Sequence, residues 1–337
     1  MIMGKKQRVT LRQIAQETGY AVITVSKALR DERDIAPETK RIIREKAQEM
    51  GYVQNAAANA LRSGKSMMIA ASIIDIMNPY WSIYCKYIER GAYENGYVAI
   101  FMDNIVECET EPKLLSMAVQ RGVDGVLLDP SLKYKENVKL LERVGIPYVL
   151  VGWPNADEAV DAVWYDNVCS GYLAGQRLIR RGCRKILMMN IPSPFPVSKD
   201  REQGVLMALA EAGFSPENIL QRRLTTGQGA PVSLIREIFE ADPDIDGIFA
   251  FNDYSALQLL SSLRAIGRRV PEDVALVSMD DIQETIATGI RLTTVHASPI
   301  RMAEASLALL LRRMNGDYSD FPAKLSLPVY LVEGETG

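Results

Sequence analysis

The stretch Val9-Thr-Leu-Arg-Gln-Ile-Ala-Gln-Glu-Thr-Gly-Tyr-Ala-Val-Ile-Thr-Val-Ser-Lys-Ala-Leu29 decides how the chain is read. Thr10 stands where a helix N-cap belongs, and Gln13, three residues on, completes a capping box. The two side chains satisfy amide hydrogens that the first helical turn leaves without partners. Leu11, Ile14 and Ala15 recur at helical spacing, and Gly19 supplies the left-handed residue that ends a helix. A second short helix, Val22 to Leu29, follows a tight turn, with Val25 and Leu29 on one apolar face. Two helices of this length around a glycine turn are a helix-turn-helix. In that arrangement the second helix enters the major groove of DNA.

Outward from this stretch, the spacing predicts a third helix from Pro37 to Met50, closed by Gly51. Its face Ile42, Ile43, Ala47 and Met50 is the one expected to pack on the first two. Asn55-Ala-Ala-Ala-Asn-Ala-Leu-Arg-Ser63 has a good N-cap and helix-favouring alanines. Nine residues are too few to hold a helix in water, so this segment is expected to be helical only when packed against something. Residues 1–65 carry 13 Lys and Arg against 7 Asp and Glu, whereas the remainder carries 26 against 35. A basic head on an acidic body suggests nucleic-acid contact confined to the head, although charge alone does not decide it.

The second helix turns Val22, Ile23, Ser26 and Lys27 outward. Lys27 suits a guanine edge or a phosphate, while Val22 and Ile23 suit thymine methyl groups. Thr10, Thr24 and Ser26 are expected phosphate contacts that set register without reading sequence.

From Met68 the pattern becomes short apolar runs alternating with amphipathic stretches. Strands are expected at Met68–Ile74, Tyr97–Phe101, Val123–Leu128, Tyr148–Val151, Lys185–Met189, Gly247–Phe251, Ala275–Ser278 and Leu292–Val295, with helices between them. Such alternation implies parallel sheets covered on both faces, and the length implies two lobes. Ligands in these folds bind beyond the carboxyl ends of the strands. There stand Asp75, Asn78, Tyr80 and Trp81; Gly152 and Trp153; Asn252 and Asp253; Asp280 and Asp281. Carboxylates, amides and flat rings suit a small polyhydroxylated ligand. Asp253 and Asp281 are read instead as caps of the turns that follow them.

Enzyme chemistry finds little support. There is no G-x-G-x-x-G, P-loop or G-x-S-x-G, and the single histidine leaves no zinc cluster. Asp280 and Asp281 are adjacent at a strand end and point different ways. The four cysteines (Cys85, Cys108, Cys169, Cys183) form no C-x-x-C pair and are expected to be reduced. No stretch reaches the roughly 20 apolar residues of a membrane span, and the polar start lacks a signal-peptide core. A cytoplasmic protein is expected.

Val9-Thr-Leu-x-x-Ile-Ala, Thr24-Val-Ser-Lys-Ala-Leu29, Gly51-Tyr52 and Asn55-x-x-Ala58-x-x-Leu61 resemble the lactose- and galactose-repressor (LacI/GalR) family. The resemblance continues through Asn78-Pro-Tyr-Trp81, Gly122-Val-Asp-Gly125, Phe251-Asn-Asp253, Val270-Pro-Glu-Asp-Val274, Asp280-Asp281 and Leu292-Thr-Thr-Val295, and covers residues 9–333. It implies that Asn55, Ala58 and Leu61 lie on a hinge helix that folds on the operator, with Leu61 wedged between base pairs in the minor groove. It also implies that Tyr80 and Trp81 flank an effector while Arg201, Asn252 and Asp280 hydrogen-bond it. The chain departs from the family's pattern at Ala21 (usually Ser), Lys27 (usually Arg), Gln54 (usually Pro) and His296 (usually Gln). Val22 and Ile23 fall on the base-reading positions. Gly152-Trp153 replaces a polar or charged pair, so a modified sugar, a glycoside or a ligand with an aromatic or apolar part fits the expected site as well as a plain hexose or pentose does.

The expected organisation is an all-α helix-turn-helix head over residues 1–53, a hinge helix and linker over 54–65, and a two-lobed α/β periplasmic-binding-protein-like domain over 66–337. The expected function is a sequence-specific regulator of transcription, most simply a repressor. Its expected partners are a pseudo-palindromic duplex operator, a carbohydrate-like effector and a second copy of the chain, with no cofactor or metal. The effector contacts are expected at Asn78, Tyr80, Trp81, Trp153, Arg201, Asn252 and Asp280. A DNA binder controlled by a protein, or by nothing, is the alternative. No leucine heptads follow Val332-Glu333, so nothing predicts a coiled-coil tetramer.

Overall fold

The computed structural model describes residues 8–54, 60, 62–104, 110–129, 134–152, 159–190, 196–215, 218–223 and 230–337. The chain forms two compact units, Met1–Ser66 and Met67–Gly337.

The first unit holds α1 (Leu11–Thr18), α2 (Val22–Leu29) and α3 (Pro37–Glu49). The Thr10 amide donates to Gln13 Oε1 at 2.8 Å and the Gln13 amide to Thr10 Oγ1 at 3.4 Å, the reciprocal bonds of a capping box. Gly19, at φ 73°, closes α1. No side chain caps α2, because Ala21 occupies its N-cap position. Ile14, Ala15, Val25, Ala28, Ile43 and Ala47 form the core, with Val9, Leu11, Tyr20, Leu29, Ile35, Met50 and Tyr52 around it. Ala28 rather than Leu29 is the second buried residue of α2.

The second unit contains two six-stranded sheets. In the first, β1 (Met68–Ile73), β2 (Val98–Asp103), β3 (Gly125–Leu128), β4 (Tyr148–Val151), β5 (Ala162–Tyr165) and β11 (Lys324–Leu327) run parallel in the order β11-β5-β4-β3-β1-β2. In the second, β6 (Ile186–Asn190), β7 (Ile219–Arg223), β8 (Gly247–Ala250), β9 (Ala275–Asp280), β10 (Thr293–His296) and β12 (Tyr330–Val332) take the order β12-β10-β9-β8-β6-β7. Here only β12 is antiparallel, to β10. The helices α4 (Pro79–Glu94), α5 (Thr110–Gln120) and α6 (Tyr134–Val144) belong to the first lobe, and α7 (Asn167–Arg181), α8 (Pro196–Glu211), α9 (Val232–Ala241) and α10 (Asp253–Ala265) to the second. The last helix, α11 (Pro299–Met314), returns to the first lobe, where it packs on α4, β3 and β4. The chain therefore passes between lobes at Tyr165–Asn167, His296–Pro299 and Leu327–Tyr330.

Two details position the site. Gly171 on α7 and Gly204 on α8 let the helix backbones nearly touch: a Cβ at Gly171 would lie 1.9 Å from the Arg201 carbonyl oxygen, and one at Gly204 2.0 Å from that of Val168. Only hydrogen fits there. The return of α11 is secured by a buried ion pair. Arg313 Nε and Nη2 reach the two oxygens of Asp161 at 2.7 and 2.9 Å, and the Ala323 amide adds a bond to Asp161 at 2.7 Å.

Candidate functional site

The exposed start of α2 follows from the composition of its two faces. Val25 and Ala28 are drawn into the core, so Val22 and Ile23 turn outward and remain 42% and 67% exposed. Large apolar side chains this open, on a helix this short, are held there by the pattern rather than by packing. Thr24 and Ser26 are half-buried, and Ser26 Oγ accepts from the Arg30 guanidinium. Lys27 is not free: its ammonium is paired with Asp34, which holds the lysine pKa above its ordinary value and the aspartate's below. Thr10 is exposed and bonded to Gln13. Several other cations of the head are also paired, Lys40 and Arg44 with Asp31, and Arg41 with Glu38 and Glu45. Among the described residues, Arg8, Arg12 and Arg33 are exposed and have no carboxylate partner, a point that residue counting missed. The expected contacts Asn55, Ala58 and Leu61 lie outside the described residues.

In the second unit, Tyr80, Arg201 and Asp280 are all buried and lie within electrostatic reach of one another, although they come from α4, α8 and the end of β9. Arg201 is fixed on three sides. Its Nε donates to Asn167 Oδ1 at 3.0 Å, its Nη1 donates to the Phe251 carbonyl, and its plane lies 4.2 Å from the centre of the Phe251 ring. Burial lowers its pKa to about 10, partly offset by Asp280. Burial likewise drives the Asp280 carboxyl well above the usual range, with repulsion from Asp253 adding to it and Arg201 opposing it. Asp280 and Asp281 both hold positive φ, 121° and 60°, which is strained backbone for residues other than glycine. Trp81 meets Tyr80 edge-on at 5.2 Å and Tyr84 at 5.4 Å, so the rings form an angled wall.

Other expected contacts have local duties. Asn78 Oδ1 caps α4 through the Tyr80 amide at 3.0 Å, and Asn252 caps α10 through the Ser255 amide at 2.8 Å. That corrects the reading of Asp253 as the cap. Its buried carboxylate instead accepts from Ser278 Oγ, from Thr294 Oγ1 at 2.7 Å and from the Ile282 amide at 2.9 Å, tying β9 and β10 together. Asp281 also makes no side-chain cap: its carboxylate meets His296 Nδ1 at 2.9 Å, and the imidazole stacks on Tyr330 at 4.4 Å. Trp153 lies outside the described residues.

Sequence reasoning missed Asn167, which orients Arg201, because the strand before it was not recognised. It also missed Asp129, which follows the expected strand Val123–Leu128 and would have been found by the strand-end rule applied to the other strands. Asp281, Glu284 and His296 place one ligand atom each within 4.8 Å of one another, yet the Asp281–His296 bond already satisfies two of the three. Among the described residues no helix is long and apolar enough to cross a membrane.

Residues 176–336 match a model described as a periplasmic binding protein-like domain. Over 342 residues the chain is 30% identical to the HTH-type transcriptional regulator CelR of Thermobifida fusca, covering 99% of this chain and 100% of the relative. The solved CelR–cellobiose complex is 28% identical with a TM-score of 0.70, covering 98% of this chain and 100% of that one. The lac repressor dimer bound to operator and the anti-inducer ONPF is 18% identical with a TM-score of 0.84, covering 98% of this chain and 99% of that one, a likeness of fold.

Proposed function

We propose, from the premise that the chain belongs to the LacI/GalR family of transcriptional regulators, that two copies of it read a pseudo-palindromic operator under the control of a carbohydrate bound between the lobes. The chain is a DNA-binding regulator and not an enzyme. The operator is read by Val22 and Ile23 through thymine methyl groups and by Lys27 once it leaves Asp34. Thr10, Thr24 and Ser26 hold phosphates, and Asn55, Ala58 and Leu61 belong to a hinge helix over residues 54–65 that forms on the duplex. This work is done in the cytoplasm.

The observation that carries the ligand reading is the meeting of Tyr80, Arg201 and Asp280 from separate elements beyond the strand ends. A buried guanidinium beside a carboxyl with a raised pKa offers a donor and an acceptor to adjacent hydroxyls, while Tyr80 and Trp81 cover the apolar face of a sugar ring. Asn78, Trp153 and Asn252 complete the proposed effector contacts. The relative CelR, solved with cellobiose, supports a glycoside as the kind of ligand. Ligand binding changes the angle between the lobes, and because a short hinge helix is marginal, a coupling of about 1–3 kcal/mol is enough to alter operator occupancy.

The test is selection of duplexes from a random pool by the full chain, with and without a panel of mono- and disaccharides, beside thermal melts with the same sugars. Enrichment of a two-fold site, changed by a sugar that also raises the midpoint, is the expected result. No enrichment at physiological salt under any condition overturns the DNA reading. Leu61→Ala should bend the selected duplex less; unchanged bending removes the wedge role.

A further inference from the structure

The loop that follows α2 carries an acidic residue onto the outward face of that helix. Asp31, at φ 64°, turns the chain back, and the amides of Asp31 and Glu32 donate to the carbonyls of Ala28 and Lys27 at 3.2 and 3.1 Å. Arg30 straps the same turn: its Nη1 donates to Ser26 Oγ and its Nε to Glu32 Oε1 at 2.8 Å. Beyond Asp34, Ile35 packs on the core of the head. The backbone is thus fixed on both sides of Asp34. Its carboxylate meets the Lys27 ammonium while both side chains stay open to water, 54% and 34% exposed.

Any contact of Lys27 with a duplex draws the ammonium away from Asp34 and leaves the carboxylate behind. The chemistry of the new partner then matters. Guanine O6 and N7 are neutral acceptors, and their approach sets no net charge against Asp34. A phosphate is an anion, and bringing it to Lys27 also brings it toward the abandoned carboxylate, where like charges repel. Both contacts forfeit the exposed pair, which is worth at most about fivefold in affinity, but only the phosphate contact adds the repulsion. Discrimination is a difference of affinities, and it grows by penalising the unwanted contact as well as by improving the wanted one.

We propose that Asp34 determines sequence specificity, by making Lys27 a reader of guanine rather than a clamp on phosphate. On random sequence Lys27 stays with Asp34 and adds nothing to binding; where a guanine stands in reach, it leaves. This rests on the reading of α2 as the helix that enters the major groove, and it decides between the two partners that the chemistry of Lys27 allows. Asp34 touches no base itself and acts through Lys27.

The experiment compares the full chain with Asp34→Asn, Lys27→Ala and the double variant. Each is titrated with a duplex of scrambled sequence across a salt series, and each selects duplexes from a random pool. Asp34→Asn frees Lys27 for a phosphate, so its slope of log affinity against log salt on the scrambled duplex should steepen by about 0.9. Carried over the decade from about 1 M to about 0.1 M salt, that is about eightfold tighter binding. The guanine that the wild-type chain selects, and that Lys27→Ala loses, should be selected less strongly by Asp34→Asn. In the Lys27→Ala background Asp34→Asn should change neither slope nor selection. Glu17→Gln, which removes the same charge from an exposed position on α1, should move the slope far less. An unchanged slope for Asp34→Asn overturns the proposal and leaves DNA binding standing. So does an equal steepening by Glu17→Gln or in the Lys27→Ala background, an undiminished choice of guanine by Asp34→Asn, or a Lys27→Ala chain that selects the same bases as wild type. If no duplex is bound at any salt, the reading of α2 falls as well.

Discussion

Removing one side of the buried pair Asp161–Arg313 should loosen the whole second unit. Arg313 is 2% exposed and Asp161 equally so, and they share two bonds of 2.7 and 2.9 Å. Asp161→Ala takes away both acceptors of the guanidinium and the acceptor of the Ala323 amide, leaving a buried cation whose remaining partners are the Asp317 carbonyl and Asp320. Breaking a buried pair from one side costs about 3–5 kcal/mol. For a unit of this size that lowers the melting midpoint by roughly 6–10 °C. Asp161→Asn, which keeps one acceptor for Arg313 or for Ala323, should fall between wild type and Asp161→Ala. Tryptophan fluorescence follows the transition, because Trp81, Trp153 and Trp164 all belong to this unit. The doubly substituted Asp161→Leu, Arg313→Met chain removes both charges at once and should recover more than half of the loss. A loss below about 1 kcal/mol for Asp161→Ala, or a double variant no better than the single one, would refute the assignment of α11's anchorage to this pair.

Three further outcomes are expected. Gly171→Ala drives a methyl group against the Arg201 carbonyl, so it should cost about 1–3 kcal/mol of stability or more and weaken any sugar response. Gly175→Ala, whose Cβ would lie 3.0 Å from that of Ala208, should be milder, and the reverse ranking in paired melts contradicts the close-crossing account. Ile43→Ala opens a cavity in the small core of the head at a cost of about 2–5 kcal/mol, so operator binding should vanish while the tryptophan transition stays in place. For Asp253, burial raises the pKa from 3.8 to about 6. The folded chain then holds that proton more tightly than the unfolded one, so the contribution is complete below pH 3.8 and is lost as pH rises through about 6. Midpoints measured across this window should fall with pH, and Asp253→Asn should flatten the slope.

The helix-turn-helix was legible because its signals are local: Thr10, Gln13 and Gly19 act on backbone groups within four residues of themselves. The doubly covered α/β architecture was legible from the alternation of apolar runs with amphipathic stretches. The short strands were not. β11 and β12 are edge strands of four and three residues with little apolar alternation. β5 has four residues and is defined by its neighbours β4 and β11 more than by its own pattern. Losing β5 also lost Asn167, the residue that aims Arg201. Asp253 shows another limit. An aspartate just before a helix reads locally as a cap, but its actual donors are 25, 29 and 41 residues away. Likewise, only folding reveals that buried Asp129 lies close enough to Glu111 to feel its charge, or that Lys27 is paired with Asp34.

The three passages between the lobes have a practical corollary. Each lobe is assembled from chain on both sides of the other, so no single cut yields either one whole. A truncated gene ending anywhere in α7 to α10 would encode a first lobe lacking α11 and β11, and an isolated fragment of that kind should behave as an insoluble intermediate rather than a module. The same braiding limits how the halves move. Three strands of polypeptide side by side bend and twist as a ribbon does, and they resist the free swivelling that one tether would permit. A ligand that draws the lobes together should therefore turn one on the other in a restricted sense rather than swivel it freely.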